Sequence, residues 1–124
     1  MKTINVNVNA GTGGLTFYVP APCRGVVVGL KAVVSATVAA NDTIDIQRNS
    51  TSVNLITVGA ANVAAGVLLT GTRDTTNKEL IFDPDSSTAT YKVMKIVISA
   101  LESANTLVNI EIEFDEFALV NQSD

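Results

Sequence analysis

The feature that most constrains this chain is a two-residue alternation of apolar and polar side chains. Ile4, Val6 and Val8 alternate with asparagines, and the segment 107–114 repeats the pattern with valine, isoleucine and phenylalanine. A β-strand points successive side chains to opposite faces, so this period predicts strands with one buried and one solvated face. No long stretch carries a helical period. The sequence therefore predicts an all-β protein.

Turn signals divide the chain into short strands. Glycines cluster at 11–14, prolines stand at 20 and 22, and 83–87 is a polar turn cluster. The predicted strands cover 4–9, 15–19, 25–35, 43–49, 53–58, 79–82, 91–99 and 107–114. Turns every 8–12 residues favour an antiparallel two-sheet sandwich or a barrel. We predict one domain over residues 1–120 and a frayed tail over 121–124, with a loop or a helical turn in the Ala/Gly-rich stretch 59–71.

The strand 25–35 is apolar on both faces. Its alternation assigns Val26, Val28, Leu30, Ala32 and Val34 to one face, and Val27, Gly29, Lys31 and Val33 to the other. Such a strand is either central in a two-layer core or covered by another subunit. The candidate interface residues are therefore Val27, Lys31 and Val33, together with Ile4 and Val6 of the amphiphilic first strand.

The composition also suggests a contact surface. Apolar residues make up 47% of the 124 residues and charged residues 16%, against about 25% charged in a typical globular domain. A small domain has limited room to bury so many apolar side chains. The excess indicates a second buried surface, although a Val/Ala-rich sandwich with an ordinary exposed apolar share would have a similar composition.

Residue types that carry chemistry are scarce. The chain has no histidine and one cysteine, so Ser-His and Cys-His pairs and the common zinc sites are excluded. Glu111, Glu113 and Asp115 share a strand face, but 5% aromatic residues make a solvated face the better interpretation than a glycosidase pair. We interpret 83–85 as a turn rather than a calcium loop. We predict no catalytic, cofactor-binding or metal-binding residues, and a protein that is not an enzyme.

Charge and hydropathy limit the partners. The net charge is −4 and the eight basic residues are scattered, whereas a nucleic-acid partner requires a basic stripe. No apolar run approaches the length of a membrane span, and the first residues do not resemble a cleaved signal. We therefore expect no nucleic-acid or membrane partner, and synthesis in the cytoplasm.

Four segments carry a resemblance to a known class of proteins. These are 41–46 opening a strand, the Ala/Gly crossing 59–66, and the late pair 91–99 and 107–114. In these the chain resembles the decoration (cement) and minor head proteins of tailed bacteriophages, many of which are jelly rolls. The resemblance implies a jelly-roll sandwich on the capsid surface of a virion. It implies a symmetric homo-oligomer, a trimer in preference to a dimer, that binds and stabilises the major capsid protein or another virion protein.

Two other functions are compatible with the sequence. A receptor- or carbohydrate-binding module of a phage fibre would use a groove near Tyr18 or Tyr91 as its binding platform. A pilus-like or surface-layer subunit would form open filaments or sheets.

Overall fold

The computed structural model describes residues 2–77 and 80–116 and consists of two antiparallel sheets. The four-stranded sheet has the order β1-β9-β3-β6, and the five-stranded sheet has the order β2-β8-β4-β5-β7. The strands are β1 Lys2–Ala10, β2 Leu15–Pro20, β3 Gly25–Val34, β4 Thr43–Arg48, β5 Thr51–Thr57, β6 Leu69–Thr70, β7 Thr72–Arg73, β8 Val93–Ile98 and β9 Thr106–Glu116. The predicted all-β, two-sheet antiparallel sandwich is confirmed.

The strand pairing is nested along the chain. β1 pairs with β9, β2 with β8, β3 with β6, and β4 with β5, all antiparallel. The outermost pair, β1–β9, runs without irregularity from Lys2 opposite Phe114 to Ala10 opposite Thr106. Within the described residues, these four pairs are nested in chain order and belong to the two antiparallel sheets.

The core lies between the two sheets. Its buried apolar side chains form one cluster, to which both sheets contribute. Phe82 and Phe114 pack in this cluster with ring centroids 6.4 Å apart and planes tilted by 54°, an arrangement that aromatic quadrupoles favour. The fully buried members include Ile46, Phe82, Met94, Ile96, Ile110, Ile112 and Phe114. Each stabilises the fold by about 1.5–3 kcal/mol relative to an exposed side chain.

A bulge in β3 changes the faces predicted for this strand. The register with β9 passes from Val27 opposite Phe114 to Gly29 opposite Glu113, so Val28 is an extra residue. Val27 therefore lies in the core cluster with Leu30, and Val28 is only half-buried. The predicted alternation is wrong in this half of β3 because an inserted residue exchanges the two faces.

Other elements differ in extent from the prediction. The predicted strand 79–82 is reduced to one isolated bridge between Phe82 and Gly25, and residue 79 lies outside the described residues. β8 begins at Val93 because Ala89–Tyr91 form a 3-10 turn. β6 and β7 were not predicted, since two-residue strands show no period. The predicted tail 121–124 and the domain end at 120 also lie outside the described residues.

The predicted strands 43–49 and 53–58 correspond to β4 and β5, which form a hairpin with a two-residue turn. β5 already begins at Thr51, so Asn49 and Ser50 alone connect the strands. Asn49 has a φ of 60°, in the left-handed region that asparagine tolerates better than most residues.

Candidate interaction surfaces

The outer face of the four-stranded sheet is built from rows of side chains that cross β1, β9 and β3. Asn7, Asn109 and Val33 form one row, and Asn5, Glu111 and Lys31 form the next. Asn109 Nδ2 donates a hydrogen bond of 2.7 Å to Asn7 Oδ1, which joins β1 to β9 on the surface. Read along the strands, this face changes from charged at one end to apolar at the other.

The charged end contains an ion pair. Lys31 Nζ lies 3.7 Å from Glu113 Oε1, and both side chains remain partly exposed. Glu111, the register partner of Lys31, lies on the same face. Exposed pairs of this kind contribute little to stability. They can, however, orient a charged partner during association.

The apolar end forms a groove of about 560 Å³. Its lining residues are Asn7, Val33, Val34, Ser35, Ala65, Gly66, Leu107 and Asn109. Leu107 is 61% exposed there, because its position in β9 points it away from the core. Both polar groups of its backbone bond to Ser35: Ser35 N–H donates to the Leu107 carbonyl, and Leu107 N–H donates to Ser35 Oγ, each at 2.9 Å.

The wall of the groove is held by the backbone of β3. Gly66 N–H donates to the Val34 carbonyl at 3.0 Å. Gly66 has a φ of 82°, a conformation that glycine adopts at low cost. The next two residues, Val67 and Leu68, are exposed at 47% and 57%. Val33, Ala65 and Leu107 line the groove, and the exposed Val67 and Leu68 follow its Gly66 in the chain. We call these five apolar side chains the groove surface.

The groove surface includes residues that the sequence reasoning did not select. Leu107 shares its parity with the outward-facing Asn109 and Glu111, so the alternation of β9 contained the signal. Val67 and Leu68 lie in an aperiodic stretch, where the sequence carried no signal. An exposed apolar surface beside charged residues is typical of protein-docking surfaces.

The five predicted interface residues are distributed over three places. Lys31 and Val33 lie on the outer face described above. Ile4 and Val6 point to the inner side of β1, where they are half-buried and pack against the core. Val27 is 1% exposed inside the core cluster, so in the folded chain it is not available to a partner. The bulge in β3 is the cause.

A second apolar surface follows the edges of β1 and β2. These strands are edge strands of the two sheets and are joined by the short turn 11–14. Their inward side chains pack on the core but remain half-buried, because no further strand covers them within the described part of the chain. We call this surface, made of Ile4, Val6, Val8, Leu15 and Phe17, the β1–β2 seam.

The outer face of the five-stranded sheet presents one exposed aromatic ring. Tyr18 is 60% exposed and borders a shallow depression of about 90 Å³ together with Asn49, Thr90, Val93 and Lys95. The other predicted platform, Tyr91, is covered on one face, since the Arg48 guanidinium carbon lies 3.8 Å from its ring centroid. Arg48 is held there by a hydrogen bond of 3.0 Å from Nη1 to the Ile81 carbonyl.

Two carboxylates converge at the loop that follows β3. Ala39 N–H donates to Asp42 Oδ2 and to Glu102 Oε2, each at 3.1 Å. Burial raises the pKa of Asp42, and the neighbouring Glu102 raises it further. The uncharged form of Asp42 is therefore favoured in the folded protein relative to the unfolded chain.

The remaining candidate groups have local roles. Burial raises the pKa of the Cys23 thiol, with a further contribution from Glu116, which disfavours a reactive thiolate. Asp83 Oδ1 accepts the Asp85 N–H at 2.9 Å, so the aspartate closes its own turn. In residues 2–77 and 80–116, no group of three or more Cys, Asp or Glu side chains is placed to hold a metal ion. None of the described helical residues forms a membrane-spanning helix.

No protein-family model matches the chain, and no curated protein matches its sequence significantly.

Proposed function

We propose that this chain is a virion structural protein that binds the assembled capsid shell of a tailed bacteriophage and stabilises it. In this role it is a decoration, or cement, protein on the capsid surface, and it acts as a symmetric homo-oligomer. The observation that carries the proposal is the groove surface: exposed, apolar, fixed by backbone hydrogen bonds, and adjacent to the Lys31–Glu113 pair.

The topology supports the finer assignment of the fold. A jelly roll is an antiparallel ribbon folded into two sheets, and the nested pairing with the orders β1-β9-β3-β6 and β2-β8-β4-β5 agrees with that description. β7 extends the second sheet by one short strand. The fold by itself does not determine a function, so the proposal depends on the surface.

The groove surface has the chemistry that docking requires. Full burial of a leucine or valine side chain is worth about 1.5–3 kcal/mol, and Leu107, Leu68 and Val67 are available for it. A protein that binds only the assembled shell stabilises that shell by mass action. A symmetric oligomer would bind several shell subunits at once, which raises its effective affinity.

Sedimentation tests the proposed function. The purified protein is mixed with assembled capsid shells of the phage that encodes it and, separately, with unassembled shell subunits. We expect the protein to pellet with assembled shells at a fixed ratio to the shell subunits and to remain in the supernatant otherwise. Protein that stays soluble in the presence of shells would contradict the proposal.

The exposed ring of Tyr18 favours one second candidate, a receptor- or carbohydrate-binding module of a phage fibre. Tyrosine faces stack on sugars, and Asn49 and Lys95 lie in the same depression. A glycan panel separates the two functions: this alternative predicts a specific glycan signal that Tyr18→Ala abolishes. Leu107→Asp would leave that signal unchanged.

A further inference from the structure

The four sheet edges of this sandwich differ in how they are protected. β6 and β7 are two residues long, and β2 ends on Pro20. Short edges and prolines are the usual means by which proteins prevent edge-to-edge pairing. β1 is nine residues long, has no proline, and pairs with β9 without a bulge. Its other side carries no strand among the residues that the structure describes.

The side chains of β1 also leave apolar surface incompletely covered. Ile4, Val6 and Val8 belong to the β1–β2 seam and are half-buried. Charge, the other common protection of an edge, is present in β1 only at Lys2, at one end of the strand. A further strand added beside β1 would extend the four-stranded sheet and cover this part of the seam.

We propose that the edge of β1 is a self-association surface, and that its partner is β1 of a second copy in antiparallel pairing across a two-fold axis at Val6. The sequence of β1 is complementary to itself in this register. Val6 meets Val6, Ile4 meets Val8, and Asn5 meets Asn7 of the partner. Between Ile4 and Val8, apolar side chains thus meet apolar ones on the core side and asparagines meet on the outer face. At the two ends of the pairing, Lys2 meets Ala10 and Thr3 meets Asn9.

The resulting assembly is a closed dimer whose four-stranded sheets join into one eight-stranded sheet. A two-fold contact is isologous and closes after two copies, whereas a trimer requires a heterologous contact. The association needs only a second copy of the chain. The proposed dimerisation therefore does not depend on the proposed binding to a capsid shell.

Paired charge variants test the contact and its register. Asn5 and Asn7 are exposed, so substitution there leaves the core intact. In the proposed register, residue 5 of each copy faces residue 7 of the other, so the dimer contains two such pairs. The double variant Asn5→Lys with Asn7→Lys places like charges in both pairs, whereas Asn5→Lys with Asn7→Glu places opposite charges in both. Thr16→Lys with Tyr18→Lys, on the exposed face of β2, is the matched control.

Sedimentation equilibrium over a range of protein concentrations measures the molar mass and the dissociation constant of the dimer. For the wild type, the control and the Lys/Glu variant we expect a mass of twice 12.9 kDa. For the Lys/Lys variant we expect a dissociation constant at least tenfold higher, with unchanged circular dichroism. A monomeric or trimeric wild type would overturn the proposal. So would a Lys/Lys variant that dimerises normally, or a Lys/Glu variant as weak as Lys/Lys.

Discussion

At Gly25 the backbones of β3 and β9 approach too closely for any side chain. A Cβ atom at this position would overlap the Asp115 carbonyl oxygen and lie 2.6 Å from the Phe114 ring. Phe114 is fully buried, so neither neighbour can move without disturbing the sheet or the core. A side chain of even one carbon atom at position 25 would therefore disturb the packing of β3 on β9.

Gly25→Ala is therefore expected to lower the free energy of unfolding by about 2–4 kcal/mol, at or above the usual range for overpacking. Urea denaturation measures the change. Gly13→Ala is the control, because a Cβ there meets nothing within 4 Å, and we expect a change of no more than about 0.5 kcal/mol. Equal effects at the two positions would contradict the packing described at Gly25.

Asp42 gives the protein a pH-dependent component of stability. Burial and Glu102 raise the pKa of Asp42 in the folded state, so its contribution to stability is fully present below its unfolded pKa of about 3.9. That contribution is lost as the pH rises through the folded pKa. Asp42→Asn keeps an acceptor for Ala39 N–H and removes the charge.

We expect Asp42→Asn to raise the melting temperature at pH 7 and to have a smaller effect at pH 3. Glu102→Gln, which removes the neighbouring charge, should act in the same direction. Thermal melts monitored by circular dichroism at the two pH values provide the measurement. A larger gain at pH 3 than at pH 7 would contradict this assignment.

At the scale of the element, β3 is where sequence and structure differ most. Its bulge places Val27 in the core at 1% exposure and leaves Val28 half-buried. A bulge of this kind is set by the register with β9, and a period read from one strand contains no information about it.

Threonine substitutions at the two neighbouring positions test the bulge. Val27→Thr buries a hydroxyl group and should cost about 1–3 kcal/mol of unfolding free energy. Val28→Thr, with the same change in atoms, should cost less than about 0.5 kcal/mol. Chemical denaturation of both variants measures the two unfolding free energies. A greater loss of stability for Val28→Thr than for Val27→Thr would contradict the bulge and indicate that Val28, not Val27, faces the core.

The difference between local alternation and contacts with distant strands explains how much of the structure the sequence could predict. β1, β2, β4 and β9 each have one apolar face, buried in β4 and β9 and half-buried over most of β1 and β2. Their alternation therefore predicted the strands and the two-sheet class. The groove surface was only partly predictable. Val33 followed from the alternation of β3, and the alternation of β9 contained the signal for Leu107, whereas Val67 and Leu68 acquire their position from the loop that reaches β3. Sheet order is set by contacts distant in sequence, which local patterns do not specify.

For the whole molecule, the nested pairing implies an order of folding. Lys2 pairs with Phe114, so β1–β9 closes the longest loop, whereas β4 and β5 are joined by two residues. The entropic cost of loop closure rises with loop length, and all-β domains rich in distant pairs fold in milliseconds to seconds. We infer that the β4–β5 hairpin forms before β1 docks.

Stopped-flow kinetics of two core variants test this order. Ile56→Val in the central hairpin should mainly slow refolding, and Val6→Ala on β1 should mainly speed unfolding. Both should change stability by about 0.5–2 kcal/mol, enough to measure rates reliably. Faster unfolding for Ile56→Val together with slower refolding for Val6→Ala would contradict early formation of the hairpin.

The proposed docking of the groove surface on an assembled shell is tested by the dissociation constant of the Leu107→Asp variant for shells, measured beside that of the wild type. Leu107 is exposed, so the variant keeps its core, and Thr16→Asp places the same charge on the other sheet as a control. We predict saturable binding by the wild type and no change for Thr16→Asp. For Leu107→Asp we predict at least tenfold weaker binding, because a charge replaces a leucine that the shell would bury on docking. Shell binding that Leu107→Asp leaves intact, or no binding by the wild type, would contradict the claim.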